Sequence, residues 1–119
     1  MTANREEIWR VSFGDPIGTE LAGRRLAVII SANRLNQSRA GVLIVFPCTT
    51  RQRGLPSHVE LHPHSSGLNE VTYAKCEDIK FISEQRLIAK LGNADEEALF
   101  DIAKALSFLL GFRNRSERN

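Results

Sequence analysis

The sequence predicts a small, mainly β protein in which a barrel or curled antiparallel sheet is capped by one C-terminal helix. Short apolar stretches separated by turn-rich loops fill the first two thirds of the chain, and the apolar spacing becomes helical after residue 93. A length of 119 residues is enough for one core and too short for two ordinary domains. We therefore expect a single domain over residues 1–119, with a flexible tail at 113–119.

Six strands are predicted. IWRVSF (8–13) alternates apolar and polar residues, as is typical of a strand in a small sheet. LAVIIS (26–31) and GVLIVFPC (41–48) are almost continuously apolar and rich in β-branched residues, which predicts central strands. Pro47 is expected to mark the point where the second of these leaves its ladder. Shorter strands are predicted at 58–61, 72–76 and 78–83.

The C-terminal helix is predicted from NADEEALFDIAKALSFLLG (93–111). Four apolar residues recur at spacings of three and four and form one stripe: Leu99, Ile102, Leu106 and Leu109. Asn93, with Glu96 three residues later, predicts the N-terminal cap, and Gly111 is the expected end. A short helical turn is predicted at 83–87.

The composition argues against a membrane or a secreted protein. Hydrophobic residues make up 42% and charged residues 25%, an ordinary globular balance. The run VLIVF (42–46) is far shorter than the roughly 20 apolar residues of a membrane-spanning helix. No secretory signal is visible, so we expect a cytoplasmic protein. Cys48 and Cys76 lack metal-ligand spacing and are expected to be buried thiols, a disulfide between them being unsupported.

The charges are unevenly distributed along the chain. No Asp or Glu occurs between Glu20 and Glu60, and all four lysines come later. Six arginines lie in that stretch: Arg24, Arg25, Arg34, Arg39, Arg51 and Arg53. The planar guanidinium suits bidentate phosphate contacts and stacking on bases. A solvated basic face is the alternative interpretation, but the pattern favours a polyanionic partner.

The segment GDPIGTELAGRR (14–25) brings Glu20, Arg24 and Arg25 to the start of a buried strand. It is not a phosphate-binding P-loop, because Gly-Lys-Ser/Thr is absent and a strand follows. Thr49 and Thr50 end the next central strand, where threonines usually satisfy backbone groups unless other residues give them a chemical role.

A histidine-rich segment, LPSHVELHPH (55–64), is the third candidate. His58 and Glu60 share one face of a strand. His58, His62 and His64 could suggest a metal site, but Pro63 interrupts any regular element and no thiolate or carboxylate ligand is well spaced. We therefore expect no metal, and acid–base chemistry on RNA is the alternative role for a histidine here.

Several motifs together resemble the MazF/PemK (Kid) family of toxins. In order, they are G-x-E-x-x-G-x-R (Gly18, Glu20, Gly23, Arg25), the apolar strand, Thr49, LPSHVEL (55–61) and KCEDIKFISEQRLIAKLG (75–92). The resemblance runs from about residue 7 to the end of the helix and lies in the order and spacing of the motifs. It implies the CcdB/MazF fold, an SH3-like β-barrel with short helical turns and a C-terminal helix, assembled as a homodimer.

The same resemblance implies a function. It indicates a sequence-specific, metal-independent endoribonuclease (an mRNA interferase) that needs no cofactor, cuts single-stranded RNA and is inhibited by a cognate antitoxin. It assigns Arg25 and Thr49 as the catalytic pair. The family usually has Gln where this chain has Leu21 and Pro where it has Leu26. Neither departure removes a catalytic side chain, but both affect the expected loop conformation and sequence preference.

The chemistry of RNA cleavage is consistent with these residue types. RNA carries its own nucleophile, the 2′-hydroxyl, so the enzyme must supply a proton acceptor and stabilise the charge on phosphorus. Arg25 offers fixed positive charge and N–H donors, and Thr49 can donate to a non-bridging oxygen. Glu20 and His58 are both chemically sensible bases. The expected products are a 2′,3′-cyclic phosphate and a 5′-hydroxyl.

RNA contacts are expected from further side chains on the loops, namely Arg24, Arg34, Arg51, Arg53 and Thr50. The same basic groove is a suitable dock for an acidic C-terminal segment of the antitoxin. Two alternatives stay open: a CcdB-like toxin that binds DNA gyrase without catalysis, and a passive RNA-binding barrel. A binding-only toxin has no need for the Arg25 and Thr49 pair, and a cleavage assay separates the enzyme from a passive binder.

Overall fold

The described part of the chain forms an antiparallel sheet followed by one long C-terminal helix, as predicted. The computed structural model describes residues 2–14 and 23–112. Its strands are β1 (Glu7–Ser12), β2 (Arg24–Ile29), β3 (Val42–Thr49), β4 (His58–Leu61), β5 (Thr72–Lys75), β6 (Lys80–Ser83) and β7 (Leu87–Asn93). Its helices are α1 (Asn33–Asn36), α2 (Pro63–Ser66) and α3 (Glu96–Leu110), and a short 3₁₀ turn covers Glu84–Arg86.

The strands are arranged in the order β4-β5-β3-β2-β1-β7, with β6 also paired to β3. Every pairing among the described residues is antiparallel. Strand β3 organises the sheet, since it pairs with β2 along one edge and with β6 and then β5 along the other. Within residues 2–14 and 23–112, no pairing joins β4 to β7, so the expected barrel is an open, curled sheet.

Alternate residues of the central strands enter two separate cores. Val28 and Phe46 point into a core that α3 covers with Ile102. Ala27 and Val45 point into a second core, on the opposite face of the sheet. Because both faces are buried, β2 and β3 are continuously apolar instead of alternating.

The structure corrects the sequence prediction at two places along the chain. Strand β2 begins at Arg24, so Arg24 and Arg25 lie in a strand and not in the preceding loop. Strand β7 was not predicted, because two of its exposed residues, Ile88 and Leu91, are apolar and Gly92 resembles a turn residue. A Cβ at Gly92 would overlap the carbonyl oxygen of Ser66, so the glycine allows close packing of β7 on α2.

Pro47 ends one ladder without ending the strand. It lies opposite Ala27 at the last recorded pair between β2 and β3. The next two residues, Cys48 and Thr49, continue β3 and pair with β5. The expectation that the strand leaves its ladder at Pro47 therefore agrees with the pairing to β2. Beyond Pro47 the ladder between β2 and β3 is interrupted, and a pocket opens there.

Helix α3 begins two residues later than predicted. Its cap is Asp95, whose Oδ1 accepts a hydrogen bond from the Ala98 backbone N–H at 2.8 Å, so the assignment of Asn93 was wrong. Gly111 ends the helix with a φ of 74°, as expected. The buried stripe consists of Ala98, Ile102 and Ala105, whereas Leu109 is 39% exposed. Neither α3 nor another helix of the described residues has the length and apolarity needed to cross a bilayer.

We expect Asp95→Ala to lower the free energy of unfolding by about 1 kcal/mol at neutral pH, because it removes a helix cap. The hydrogen bond from Ala98, the Ser65 hydroxyl and nearby His62 hold the pKa of Asp95 below its usual range. The contribution of the charged cap is therefore complete above about pH 4 and is lost as the pH falls through the depressed pKa. Urea unfolding at neutral and acidic pH measures the difference.

Asp95→Asn is the matched control, since asparagine caps a helix without titrating. It should stay close to the native protein at neutral pH. If the deficit of Asp95→Ala were the same at both pH values, the cap would not depend on the carboxylate charge.

Candidate active site

A pocket of about 200 Å³ opens where β2 and β3 part beyond Ala27 and Pro47. We call it the arginine pocket, and its lining residues are Arg10, Arg24, Arg25, Leu26, Cys48, Thr49, Thr50 and Thr72. It contains the two residues expected to be the catalytic pair and two of the residues expected to bind RNA.

The strand register explains why Arg25 and Thr49 line the same pocket. Ala27 lies opposite Pro47. Continuing this antiparallel register by two residues brings Arg25 opposite Thr49, on the same face as Ala27 and Pro47. Arg24 alternates to the other face of β2 and still lines the pocket, which takes residues from both faces at this end of the strand. The two side chains are 24 positions apart in the sequence, and the register of the two strands brings them together.

The Thr49 hydroxyl is oriented by the backbone. Its Oγ1 accepts a hydrogen bond from the Arg51 backbone N–H at 3.1 Å. A hydroxyl that accepts in this way still has its own proton to donate. Thr49 therefore offers the arginine pocket a hydrogen-bond donor.

Arg10 is a pocket residue that the sequence analysis missed. It lies in β1 opposite Leu26, outside the acid-free stretch that drew attention to the other arginines. A signal was present, since Arg10 interrupts the apolar residues of its strand. None of the ion pairs recorded between residues of the described part involves Arg10, Arg24 or Arg25. Three guanidinium groups in one concavity create a strongly anion-attracting field.

A second pocket, of about 210 Å³, shares Thr49 with the arginine pocket. We call it the histidine pocket, and it is lined by Thr49, Arg53, Leu55, His58, Lys75 and Glu77. His58 Nε2 lies 3.0 Å from Glu77 Oε2, and the Ser57 hydroxyl donates to Glu77 Oε1 at 2.8 Å. The His58 side chain is only 4% exposed, and its Nδ1 is buried with no hydrogen-bond partner in the described part.

Glu77 is the charged partner in this cluster. Burial by itself would raise its pKa, but hydrogen bonds from its own backbone N–H, from Ser57 and from His58 outweigh burial and lower the pKa below the usual value. Glu77 is therefore ionised at neutral pH. A carboxylate can only accept, so the Nε2 of His58 carries the proton in this contact.

The remaining predicted residues are placed differently. Glu20 lies outside the described residues. Arg51 and Arg53 follow Thr49 in an exposed loop, and Arg53 lines the histidine pocket. Arg34 lies in α1, beyond the carboxyl end of β2, so it is at the opposite end of that strand from Arg24. It lines neither pocket.

The other two histidines do not join His58. The His62 and His64 rings stack with centroids 6.1 Å apart, and neither lines the arginine or the histidine pocket. Across residues 2–14 and 23–112, no group of three or more His, Cys, Asp and Glu side chains has an arrangement suited to a metal ion.

A larger concavity, about 490 Å³, lies elsewhere, between β4 and α3. Val59, Ala105 and Phe108 give it a mainly apolar wall, and no arginine lines it. Its size reflects incomplete coverage of an apolar surface. The arginine pocket is smaller but holds the charged and hydroxyl groups that chemistry on an anion requires, so we take it as the candidate active site.

The family of the chain follows from comparison with known proteins. Residues 4–110 match the model of the family described as PemK-like, MazF-like toxin of type II toxin-antitoxin system. The chain belongs to this family, which confirms the resemblance found in the sequence motifs.

Two curated relatives and one solved structure illustrate the likeness. The chain is 31% identical to endoribonuclease MazF9 of Mycobacterium tuberculosis, over 89% of this chain and 94% of the relative. It is 33% identical to the endoribonuclease toxin MazF of Escherichia coli K12, over 87% and 89%. A MazE–MazF crystal structure from Deinococcus radiodurans matches with a TM-score of 0.77 and 24% identity, over 95% and 99%. The expected MazF-like fold is confirmed, although the described strands leave the sheet open.

Cys48 lines the arginine pocket beside Thr49, yet we expect its thiol to be inert. Burial raises the pKa of Cys48 to about 12, and burial likewise raises the pKa of Cys76 to about 12. Since only the thiolate reacts, alkylation by N-ethylmaleimide near pH 8 should be roughly a thousand-fold slower in the folded protein than in denaturant. Mass spectrometry over time measures both rates. Rapid labelling of folded Cys48 would contradict this prediction.

Proposed function

We propose that this protein is the endoribonuclease toxin of a toxin–antitoxin pair and that it cleaves single-stranded RNA at short sequence motifs, using the 2′-hydroxyl of the RNA and no metal ion. The observation that carries the proposal is the arginine pocket, in which Arg25 and Thr49 share one concavity with two further arginines. Membership of the PemK-like, MazF-like toxin family and the curated relatives named as endoribonucleases support it.

Arg25 stabilises the charge that develops on phosphorus. When the 2′-oxygen attacks, the phosphate passes through a five-coordinate state with extra negative charge on its non-bridging oxygens. A guanidinium is always protonated near neutral pH and offers several N–H donors in fixed directions. Charged donors aimed at the transition state contribute more to rate than contacts made equally in the ground state.

Thr49 donates a hydrogen bond to one non-bridging oxygen. The Arg51 backbone N–H occupies a lone pair of Oγ1 and so favours a hydroxyl proton that points away from the backbone. The contact is neutral, so we expect Thr49 to contribute less to the rate than Arg25 does.

Glu20 is the proposed base, and the geometry of His58 is the reason. A base must come within hydrogen-bond reach of the 2′-hydroxyl. The Nε2 of His58 contacts Glu77, and its Nδ1 is buried, so neither nitrogen is available to a substrate in the arginine pocket. Glu20 takes the proton, the 2′-oxygen bonds to phosphorus, and the bond to the 5′-oxygen breaks. The products are a 2′,3′-cyclic phosphate and a 5′-hydroxyl, whose proton comes from water.

Further arginines hold the RNA on either side of the cut. Arg10 and Arg24 share the arginine pocket, and Arg53 lines the pocket next to it. Arg51 and Thr50 flank Thr49 and complete the proposed RNA contacts. Arg34 is not included, because α1 lies at the opposite end of β2.

The proposed function also implies protein partners. We propose that two copies form a homodimer and that a cognate antitoxin covers the basic groove with an acidic C-terminal segment, as opposite charges would favour. The MazE–MazF complex of the structurally similar protein supports an antitoxin partner. Messenger RNA is met in the cytoplasm, where we expect the toxin to act.

We expect the pure protein to cut RNA in the presence of EDTA and to leave DNA of the same sequence intact, because DNA lacks the 2′-hydroxyl. Arg25→Ala should lower the single-turnover rate by roughly a hundred- to a thousand-fold, the range found when one transition-state donor is removed. Gel analysis of a labelled transcript measures the rate, and circular dichroism checks that the fold is intact. Arg34→Ala removes the same charge away from both pockets and serves as the control.

Each part of the proposal has its own contradicting result. Loss of cutting in EDTA would refute the metal-independent mechanism. Cutting by Arg25→Ala at the native rate would refute the catalytic assignment. Binding of RNA without cleavage by the native protein would favour the passive RNA-binding alternative.

We also expect Arg10 to contact phosphate. Arg10→Gln should weaken binding of single-stranded RNA and reduce the slope of log affinity against log salt by about 0.7, the value for one phosphate contact on a single strand. Fluorescence anisotropy with an uncleavable 2′-O-methyl RNA, at several salt concentrations, measures the slope. Arg34→Gln is the matched control and should keep the native slope. Equal slopes for Arg10→Gln and the native protein would exclude the contact.

A further inference from the structure

We propose that the histidine pocket binds the nucleobase next to the cleaved phosphate and that Glu77 selects a base with N–H donors on its Watson–Crick edge, guanine above all. The inference deepens the proposed function, on which it rests, by assigning a specificity-determining residue to the site.

The histidine pocket lies next to the proposed site of the cleaved phosphate. Thr49 forms part of the wall of both pockets, so a phosphate held by Thr49 in the arginine pocket brings an adjoining nucleotide to the histidine pocket. The two pockets are similar in volume, about 200 and 210 Å³. Arg53 provides positive charge for a flanking phosphate, whereas Lys75 is paired with Asp78 at 3.6 Å. Leu55, which is 44% exposed, provides apolar surface for the face of a base.

Neighbouring side chains hold the Glu77 carboxylate in a fixed orientation. Ser57 donates to one carboxylate oxygen at 2.8 Å, and His58 contacts the other at 3.0 Å. The backbone N–H of Glu77 itself is a third donor to the carboxylate. Two oxygens with two lone pairs each have four acceptor sites, so one site stays open after these three contacts. The side chain is 37% exposed, and it therefore presents a charged, oriented acceptor to the pocket.

His58 acts here as a positioning residue. Its ring is 4% exposed, its Nδ1 is buried without a partner in the described part, and its Nε2 contacts Glu77. A ring enclosed in this way cannot swing toward substrate, but it fixes one carboxylate oxygen. The depressed pKa of Glu77 agrees with a group held as a charged acceptor.

The four bases differ in the hydrogen-bond donors that they offer to a carboxylate. Guanine offers two neighbouring donors, N1–H and N2–H, to an ionised carboxylate. Adenine and cytosine each offer one amino donor beside an acceptor. Uracil places its single N3–H donor between two carbonyl oxygens, which a carboxylate repels. Glu77 should therefore rank guanine first and uracil last.

The first experiment maps the cut sites. A randomised single-stranded RNA is digested with the native protein, with Glu77→Gln and with Glu97→Gln, and the 5′ ends of the products are sequenced. We expect one position adjoining the cut to be enriched in guanine over uracil by about ten-fold for the native protein, the scale of one hydrogen bond to a charged group. Glu77→Gln should reduce that ratio to near one, because an amide replaces one acceptor with a donor. Glu97→Gln loses the same charge on α3, outside both pockets, and should keep the preference.

The second experiment needs no cleavage. Fluorescence anisotropy compares an uncleavable 2′-O-methyl oligouridine with the same oligomer carrying one guanine. We expect the guanine oligomer to bind the native protein about ten-fold more tightly and to lose that advantage with Glu77→Gln.

The outcomes separate this inference from the proposed function. If the native protein cuts RNA and Glu77→Gln leaves every base frequency unchanged, the inference is wrong and the endoribonuclease stands. If the native protein cuts nothing but binds guanine in a Glu77-dependent way, the proposed function is wrong and the base site stands. If Glu77→Gln lowers only the melting temperature, the cluster is structural and the inference is wrong.

Discussion

The candidate active site depends on the antiparallel register between β2 and β3. The pair of Ala27 and Pro47 fixes this register, and Pro47 has no N–H with which to extend the ladder. The strands can therefore separate just beyond the point that aligns them. Arg25 and Thr49 occupy the two sides of this opening. A slip of one residue would turn every side chain of β2 to the opposite face, so the cores that hold the register also hold the site.

The sequence was most informative where burial is two-sided. The apolar runs of β2 and β3 predicted central strands, and their residues indeed enter two cores. It was least informative where an element is exposed or short. The outward residues of β7 hid its alternation, and the cap of α3 was misplaced because Asn93 and Asp95 are both good capping residues. Capping propensity alone could not choose between these two residues. Because β7 extends to Asn93, the helix can begin only after it, and Asp95 becomes the cap.

The candidate active site was likewise predicted only in part from the sequence. Arg25 and Thr49 were found through motifs, and the structure gives the register that unites them in one pocket. Arg10 was missed because its role depends on the pairing of β1 with β2, a long-range contact that composition does not reveal. The pairing of His58 with Glu77 was missed for a similar reason, since 19 residues separate them in sequence and the hairpin of β4 and β5 brings them together.

Thr49 belongs to two cavities at once, and this has an evolutionary consequence. Because Thr49 forms a wall common to both pockets, any substitution at this position that reshapes one pocket also alters the other. Evolutionary changes in RNA sequence preference would therefore have to arise at the other lining residues of each pocket, while the shared threonine stayed unchanged.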